Sequence, residues 1–422
     1  MKKYAYCSVL LMLFMSMSAA MTGCADTDEN ADATADDPLR KPELLHKRGP
    51  YHVGVYETKV TYQPPGQEEA RTLPVIVWYP SEEKGNKVHK LTIAGAMPLP
   101  NRAYKNLSLA PGAPRPLAIH SHGSAGEASL AYPSAEVFAS RGWIVASISH
   151  VGNTTLDALG DPLDVPMYIP VYRMLDVSTV IDAAEKGFGL GILDEQIDTQ
   201  STFVYGHSFG GYTSLALGGA TFLREGAKNM VCENAGQNCE EDDITCGQYN
   251  EEACAFLDDP EIVEITTQSF RDPRVQAIGL QAPGALGMLD PSTVTTPTLL
   301  MSADQDGWLP HAREAEPIWN ALETPDNVWI RFKDAGHLSF ITVCDPKVLG
   351  ADLINQFMPP VGSDGCNPEY TPPTTIADLN TAYLVMFAEK HLLDTARWDD
   401  YLSGKLQLSI SEDVAMEIES KK

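Results

Sequence analysis

The stretch TFVYGHSFGGYTSLAL, residues 202–217, decides the fold of this chain. It opens with strand-forming side chains and ends in small and apolar residues that can continue as a helix. Between the two stands G-H-S-F-G, a G-x-S-x-G pentapeptide in the strand–turn–helix context of a nucleophile elbow. Gly206 and Gly210 are needed because a Cβ at either position would collide with the neighbouring strand or helix.

The elbow predicts that the Ser208 hydroxyl stands clear of the sheet at the N-terminus of a helix. The amides and the dipole of that helix favour a developing negative charge. The alternative is a chance pentapeptide in a glycine-rich chain.

The rest of the chain alternates between strand and helix patterns. Strands are predicted at residues 51–62, 73–79, 117–120, 144–148, 202–205, 275–281, 298–302 and 328–332, and helices at 134–141, within 164–186, at 312–322 and at 376–393. This alternation predicts a mostly parallel central sheet with helices on both faces. Length alone allows two or three domains, but the pattern favours one, residues 49–422.

Residues 1–24 have the pattern of a signal peptide with a lipobox. Lys2 and Lys3 precede an apolar stretch too short to span a bilayer, and the segment ends in Thr-Gly-Cys. This ending resembles the lipobox of bacterial lipoproteins, which predicts lipidation of Cys24. The alternative is an ordinary signal peptide cleaved near Ala19 and Ala20. Both predict export: anchored to the outer membrane or cell surface, or else periplasmic or secreted.

Residues 25–48 are predicted to form an acidic, disordered tether, since their first part carries acidic and small residues with nothing to bury. The whole chain has 57 acidic and 30 basic residues, a formal net charge of −27. Such a balance, with no basic stripe, argues against a nucleic-acid partner. We expect a monomer that meets the membrane only through its lipid.

Six cysteines remain after the signal segment and Cys24: Cys232, Cys239, Cys246, Cys254, Cys344 and Cys366. An even number in an exported chain predicts disulfides. The first four lie in an acidic insertion, residues 224–264, which we interpret as a cap pinned by disulfides beside the active site. Zinc on these cysteines, or calcium on the acidic run at 240–243, is the alternative. Cys344 and Cys366 are expected to staple the loop that follows His337.

Two backbone N–H groups are predicted to form an oxyanion hole. In serine hydrolases of this architecture, one comes from the loop after the third strand and one from the residue after the nucleophile. Here these residues are Ser124, in LAIHSHGSAG at 117–126, and Phe209. His120 and His122 could instead bind a metal, but no third ligand stands at a suitable spacing.

An acid and a base follow later strands. In PTLLMSADQDGWLP, residues 297–310, Asp306 and Asp304 compete for the role of the acid, and the loop position favours Asp306. In VWIRFKDAGHLSF, residues 328–340, His337 follows a strand and is the predicted base. The order Ser–Asp–His is the one found on an α/β-hydrolase sheet. His150 stands before the nucleophile, which is out of order for the base, and His311 is expected to begin a surface helix.

The chain resembles two groups of enzymes in these motifs. The segments LPVIVWYP (73–80), SHGSAG (121–126), RGWIVASISH (141–150) and GHSFGG (206–211) resemble bacterial esterases grouped with platelet-activating factor acetylhydrolases, which are also described as dienelactone hydrolases. The segments PTLLMSADQDGWLP and DAGHLSF (334–340) are similar to bacterial cutinases and polyester hydrolases, whose acid and base match Asp306 and His337. The resemblance covers about residues 51–340.

Three positions depart from these families. Dienelactone hydrolases have a cysteine nucleophile, whereas this chain has Ser208. Gln281 stands where the animal acetylhydrolases take their acid. Gly284 stands where polyester hydrolases have a tryptophan, although Trp308 lies close enough to Asp306 to replace it as a substrate-binding side chain.

The sequence therefore predicts an exported serine esterase of α/β-hydrolase fold that cleaves short-acyl esters through Ser208, Asp306 and His337. No cofactor and no metal is implied. Polyesters and short-acyl phospholipids are the alternative substrates, and a peptidase of the same fold is a further enzyme alternative. A non-catalytic binding protein on a hydrolase scaffold is the alternative of another class.

Overall fold

A twisted sheet with a parallel centre organises the computed structural model, which describes residues 41–158, 165–232, 250–284, 286–357, 364–408, 410 and 413–422. Over these residues the sheet has nine strands. In chain order they are β1 (His52–Tyr62), β2 (Arg71–Ser81), β3 (Arg115–Ser121), β4 (Ile144–Ile148), β5 (Ile197–His207), β6 (Val275–Gln281), β7 (Thr298–Ala303), β8 (Val328–Phe332) and β9 (Met416–Ser420).

The order across the sheet is β1-β2-β4-β3-β5-β6-β7-β8-β9. The run from β4 to β8 is parallel, whereas β1 and β2 at one edge and β9 at the other pair antiparallel with their neighbours. Parallel strands need crossover connections, and the helices supply them. As a result, the loops after β3, β5, β7 and β8 open at one edge of the sheet, as in other open α/β sheets.

Helices cover both faces of the sheet. The described helices are α1 (Tyr132–Ser140), α2 (Ile169–Ala184), α3 (Phe209–Leu217), α4 (Arg224–Val231), α5 (Glu251–Asp258), α6 (Pro260–Thr267), α7 (Ala315–Ala321), α8 (Gly350–Phe357), α9 (Pro373–Leu392) and α10 (Asp399–Leu402). α1 and α9 pack in the core on one face, and α2, α3 and α7 pack in the core on the other. The strands between them carry near-continuous apolar runs because both of their faces are buried.

The predicted strands and helices are present, with ends shifted by a few residues. β4, β6 and β8 have the predicted bounds. The helix at 376–393 is the last element that the sequence predicts, and the expectation that it closes the fold is wrong, because β9 follows it and pairs with β8. β9 has the sequence MEIES, and its residues are at best half-buried. A glutamate-rich edge strand carries little of the apolar pattern on which strand prediction depends.

The packed chain begins before residue 49, where the tether was expected to end. Leu45 is fully buried, and the Arg141 guanidinium donates a hydrogen bond to the carbonyl of Leu44 at 2.9 Å. The acidic composition that indicated disorder stops at Asp37, and the leucines after it supply apolar surface to bury. The signal segment and the first part of the tether lie outside the described residues.

The insertion at 224–264 is helical where the structure describes it. α4, α5 and α6 form it, and α6 runs to Thr267, slightly past the expected boundary. A disulfide joins Cys232 to Cys254. The insertion packs on α2 through Phe256 of α5, whose ring contacts that of Tyr172 edge to face, with centroids 5.6 Å apart. Cys239, Cys246 and the acidic run at 240–243 lie outside the described residues.

None of the helices in the described part of the chain combines the length and the apolar content needed to cross a bilayer.

Candidate active site

Ser208 occupies the sharp turn between β5 and α3. Its backbone angles are φ 55° and ψ −117°, a strained conformation for a residue with a side chain. The Ser208 N–H donates a hydrogen bond of 2.8 Å to the carbonyl of Gln281, the last residue of β6. The neighbouring strand therefore holds the turn in place at the edge of the sheet where the loops open.

The two glycines of the pentapeptide have no room for a side chain. A Cβ on Gly206 would lie 2.3 Å from the carbonyl oxygen of Ser121, and a Cβ on Gly210 would lie 1.9 Å from the same atom. Both distances are far below van der Waals contact. The end of β3 can approach the elbow this closely only because both positions are glycine.

The predicted acid and base are hydrogen-bonded to each other. His337 begins a short 3-10 turn after β8 and is fully buried. Its Nδ1 lies 2.8 Å from Oδ2 of Asp306, in the loop after β7. The other carboxylate oxygen of Asp306 accepts the N–H groups of Trp308 and Leu309 at 3.0 and 2.7 Å. Both oxygens of this carboxylate are thus held in place.

Asp304 faces a different set of partners. Its carboxylate pairs with Lys333 at 3.0 Å and with Arg331 at 3.3 Å, and His311 lies 3.8 Å away. All four side chains are partly exposed. The geometry therefore favours Asp306 over Asp304 as the partner of His337, and the catalytic roles stay predictions.

His207 connects β5 to the predicted base. Its Nε2 donates to the backbone carbonyl of His337 at 2.9 Å, and the two rings lie 4.6 Å apart. Burial, followed by the nearby His337, lowers the pKa of His207 well below its ordinary value, so the ring is neutral. The sequence marks His207 only as a position within the pentapeptide, since nothing local shows where its ring points.

Asp364 holds the base loop and the acid loop together. Its Oδ1 accepts the N–H of His337 at 3.0 Å, and its Oδ2 accepts the N–H of Gly307 at 2.9 Å. A Cβ on Gly336 would lie 2.1 Å from Oδ1, so the chain before His337 packs directly on this carboxylate. Asp364 is not among the predicted site residues, and its one signal in the sequence is that it stands two residues before a cysteine.

The disulfide that was expected to staple the loop after His337 is present. Cys344 is bonded to Cys366, and Cys344 ends a 3-10 turn shortly after His337. The bond fixes the segment that carries Asp364 to the segment that carries the base. A covalent link here restricts motion of the base loop relative to its carboxylate partner.

The electrostatic setting of His337 favours its charged form. Burial alone lowers the pKa of the imidazole, but the charge and hydrogen bond of Asp306, with the charge of Asp364, outweigh burial and raise the pKa above its ordinary value. Burial and the charge of Asp306 raise the pKa of Asp364 in turn. The site is therefore built to stabilise an imidazolium, the form that a general base reaches when it accepts a proton.

The two predicted oxyanion donors lie on segments next to Ser208. A Cβ on Gly123, just before Ser124, would be 3.3 Å from Cβ of Ser208, so this loop packs against Ser208. Phe209 is the first residue of α3, where N–H groups have no partner within the helix. Ala125 has φ 59°, so backbone strain occurs in this loop as well as at the elbow.

A buried polar chain runs beneath the loop after β3. His150 Nδ1 donates to Asp176 at 2.8 Å, and His150 Nε2 lies 3.0 Å from the Ser121 hydroxyl. Arg71 forms two hydrogen bonds to Asp176, at 2.7 and 2.9 Å. This Ser–His–Asp order imitates a catalytic triad, but Ser121, His150 and Asp176 are buried, so a substrate has no access to Ser121.

His120 and His122 have structural hydrogen bonds. His120 Nδ1 lies 2.9 Å from the Ser147 hydroxyl, whereas His122 Nδ1 donates to the Gly123 carbonyl at 2.6 Å. The second nitrogen of His122 accepts the N–H of His150 at 3.0 Å. Burial lowers the pKa of His120 to about 3. Both rings therefore brace the β3 edge rather than face an open ligand site.

Trp308 lies over the predicted base. Its ring stacks on that of His337, with centroids 5.2 Å apart and planes 10° from parallel. The place where a polyester hydrolase has its tryptophan is filled differently, since a Cβ on Gly284 would lie 2.5 Å from the Leu309 side chain. An aromatic side chain at position 284 would therefore displace Leu309. The substrate-binding role of Trp308 stays a prediction.

Replacement of Asp306 should reveal which carboxylate partners the base. Asp306→Asn should lower the pKa of His337, because the charge and hydrogen bond that raise it are removed while burial remains. Asp364→Asn should lower it less, and Asp304→Asn should leave it unchanged. The pKa can be measured by NMR titration of imidazole-labelled protein, with His337→Gln to assign the resonance. A larger fall in Asp304→Asn than in Asp306→Asn would contradict the assignment.

Comparisons with known proteins bear on the fold. No protein-family model matches the chain, and no curated protein sequence matches it. Among 506 matching chains of solved structures is a ferulic acid esterase from Streptomyces cinnamoneus, at 19% sequence identity and a TM-score of 0.56. The match covers 87% of this chain and 96% of the esterase. At this level of sequence identity, structural similarity is evidence for a shared fold but not for a shared reaction. The sheet order, the elbow and this match together show that the chain has the α/β-hydrolase fold.

Proposed function

We propose that this protein is a serine hydrolase that cleaves carboxylic esters. The observation that carries the proposal is the contact between the strained Ser208 turn and an Asp306–His337 pair, made through the His207 hydrogen bond. A nucleophile on a strained turn beside an imidazole oriented by a carboxylate is the recurring arrangement for acyl transfer. The esterase among the structural matches adds support at the level of the fold.

The proposed reaction gives each of these groups one role. Ser208 Oγ attacks the carbonyl carbon while its proton passes to His337, and the charge on the carbonyl oxygen is met by the N–H groups of Ser124 and Phe209. When the tetrahedral intermediate collapses, the C–O bond to the alcohol breaks, and His337 protonates the leaving oxygen. Water then attacks the acyl-enzyme, gives its proton to His337 and releases the acid, and the proton returns to Ser208.

Asp306 has two roles in this sequence. It holds the imidazole with Nδ1–H directed at the carboxylate, which leaves Nε2 free of a proton to accept one from Ser208. It also stabilises the imidazolium that forms in each half-reaction. Asp364 adds negative charge near the imidazole and fixes its backbone, without touching the ring nitrogen.

The substrate is proposed to be a small ester with a short acyl group. Leu309 fills the space beside Gly284, which removes the aromatic wall that would favour a polyester. Stacking on such a wall is worth about 0.5–1.5 kcal/mol, roughly a tenfold preference at most. Its absence therefore lowers the rank of aromatic polyesters among the substrates without excluding them. The insertion at 224–264 is proposed to narrow access further. Aromatic acyl esters such as ferulates also belong in the substrate panel, given the structural match.

The wild-type protein should label with a fluorophosphonate probe and hydrolyse acetyl to butyryl esters faster than long acyl esters. The measurement is a screen of chromogenic esters of increasing chain length, with a ferulate ester and an aromatic polyester film in the same panel. Faster release of soluble products from the film, at matched enzyme and accessible ester, would contradict the substrate class. Absence of both labelling and hydrolysis would contradict the esterase proposal and favour a binding protein.

Ser208→Ala should reduce ester hydrolysis by more than about a thousandfold while the protein stays folded, since triad loss generally costs at least that much. His337→Ala should be comparably damaging, and the double variant no worse, because the two residues act as one unit. The rates can be compared at equal folded concentration, verified by circular dichroism. Losses that multiply in the double variant would show that His337 does not serve Ser208.

The cellular setting is proposed to be outside the cytoplasm. The disulfides Cys232–Cys254 and Cys344–Cys366 fit an oxidising compartment. Export through the signal segment and attachment through Cys24 rest on the sequence pattern, as does the monomeric state.

Cys24→Ser should block lipidation and release the protein from the membrane fraction, because a serine offers no thiol for the lipid. Metabolic labelling with a fatty-acid analogue measures this directly, and Cys7→Ser is the matched control within the same segment. Equal labelling of the wild type and the Cys24→Ser variant would refute the lipid anchor.

A further inference from the structure

Arg173 is a buried cation directly beneath the two predicted oxyanion donors. It lies in the first half of α2, and its side chain is fully buried. The guanidinium donates to Asn153 Oδ1 at 2.8 Å, to Thr213 Oγ1 at 3.0 Å and to the Ser121 hydroxyl at 3.1 Å. It also donates to the backbone carbonyl of His122.

Two of these bonds continue to the residues whose N–H groups are proposed to hold the oxyanion. Asn153 Nδ2 donates to the Ser124 hydroxyl at 2.9 Å, and the Thr213 hydroxyl donates to the Phe209 carbonyl at 2.9 Å. The Phe209 ring also lies over the guanidinium, 4.8 Å from ring centroid to Cζ. One side chain is therefore connected through a single relay to each half of the oxyanion hole.

We propose that Arg173 is a positioning residue that sets the distance and angle between the Ser124 and Phe209 amides. The inference rests on the proposed esterase function. An oxyanion hole lowers the barrier only when its donors are already aimed at the position that the oxyanion will occupy. Ser124 and Phe209 belong to loops after different strands, so their relative position depends on a bridge between the loops. Arg173 supplies that bridge.

The chemistry of arginine suits this task. Its planar guanidinium presents donors in fixed directions, which lets one group contact four acceptors on three segments at once. A lysine ammonium is a single point and cannot span Asn153, Thr213 and the His122 carbonyl together. The cost of burying the charge is reduced by the four hydrogen bonds and by the carboxylate of Asp176 on the same helix, which favours the cation. Burial still prevails and lowers the pKa of Arg173 to about 9.

Arg173→Lys tests the proposal most directly. The variant keeps the positive charge and most of the aliphatic side chain but loses the planar guanidinium and its several donors. We therefore expect kcat to fall about ten- to hundredfold while KM changes little. A trifluoromethyl ketone, which forms a tetrahedral oxyanion adduct with a serine nucleophile, should lose inhibition by a similar factor. If Arg173 served only the stability of the fold, kcat per folded molecule and the inhibition constant would both stay at their wild-type values.

Two further variants separate the relays if Arg173→Lys does not fold. Asn153→Ala interrupts the relay to Ser124, and Thr213→Val interrupts the relay to Phe209, each with an expected loss of up to about tenfold in kcat. Tyr62→Phe is the matched control, because it removes a 2.7 Å hydrogen bond to Asp176 at the far end of the same buried region. It should lower the denaturation midpoint and leave kcat unchanged.

The outcomes separate this inference from the proposed function. Unchanged kcat and inhibitor affinity in Arg173→Lys, or in both relay variants, would overturn the positioning role while the wild type remains an active esterase. A loss of kcat in Tyr62→Phe as large as in the relay variants would also overturn it, because general loosening would then explain the effect. A wild type with neither hydrolysis nor inhibitor binding would refute the esterase proposal itself.

Discussion

The carbonyl oxygen of Ser121 is the contact on which the site depends. It sits against the α-carbons of Gly206 and Gly210, closer than any side chain would permit, and so brings the end of β3 onto the nucleophile turn. The Ser121 hydroxyl, on the same residue, contacts both Arg173 and His150. One residue therefore joins the backbone geometry of the elbow to the polar network beneath it. A shift of this strand end would displace the loop after β3, the turn at Ser208 and the buried arginine together.

The predicted base, His337, is held from three sides by groups of different chemistry. Asp306 orients the ring, His207 holds the backbone carbonyl, and Asp364 holds the backbone N–H. A loop with a histidine at its tip would otherwise sample many orientations, and a misplaced base loses much of its effect. The same arrangement places two carboxylates near a buried imidazole, which offsets the cost of charging it in a dry site. Rigidity and electrostatics are supplied by the same residues.

Whether the sequence predicts the role of a residue depends on how far along the chain its partners lie. The elbow was readable because its determinants are covalent neighbours, and the triad candidates were readable because each follows a strand end in a known order. His207, Arg173 and Asp364 act on partners far away in the chain, so no local pattern marks them. Arg173 and Asp176 stand in a helix whose charged positions would normally face water, which hides their burial. β9 was missed for the opposite reason, since an exposed edge strand needs little apolar pattern.

Beneath the elbow, this edge of the sheet holds a buried polar network where apolar side chains could also pack. Replacing Arg173 and Asp176 by packed apolar residues could leave stability unchanged or raise it, because buried ion networks seldom contribute much net stability. We explain their presence beneath the elbow by the orientation that they impose. Apolar packing fixes volume, whereas hydrogen bonds fix the orientation of particular backbone groups. Burial lowers the pKa of Arg173 to about 9, so the guanidinium still carries its charge at neutral pH. A fixed positive charge below the loop after β3 favours negative charge above it, before any ligand binds.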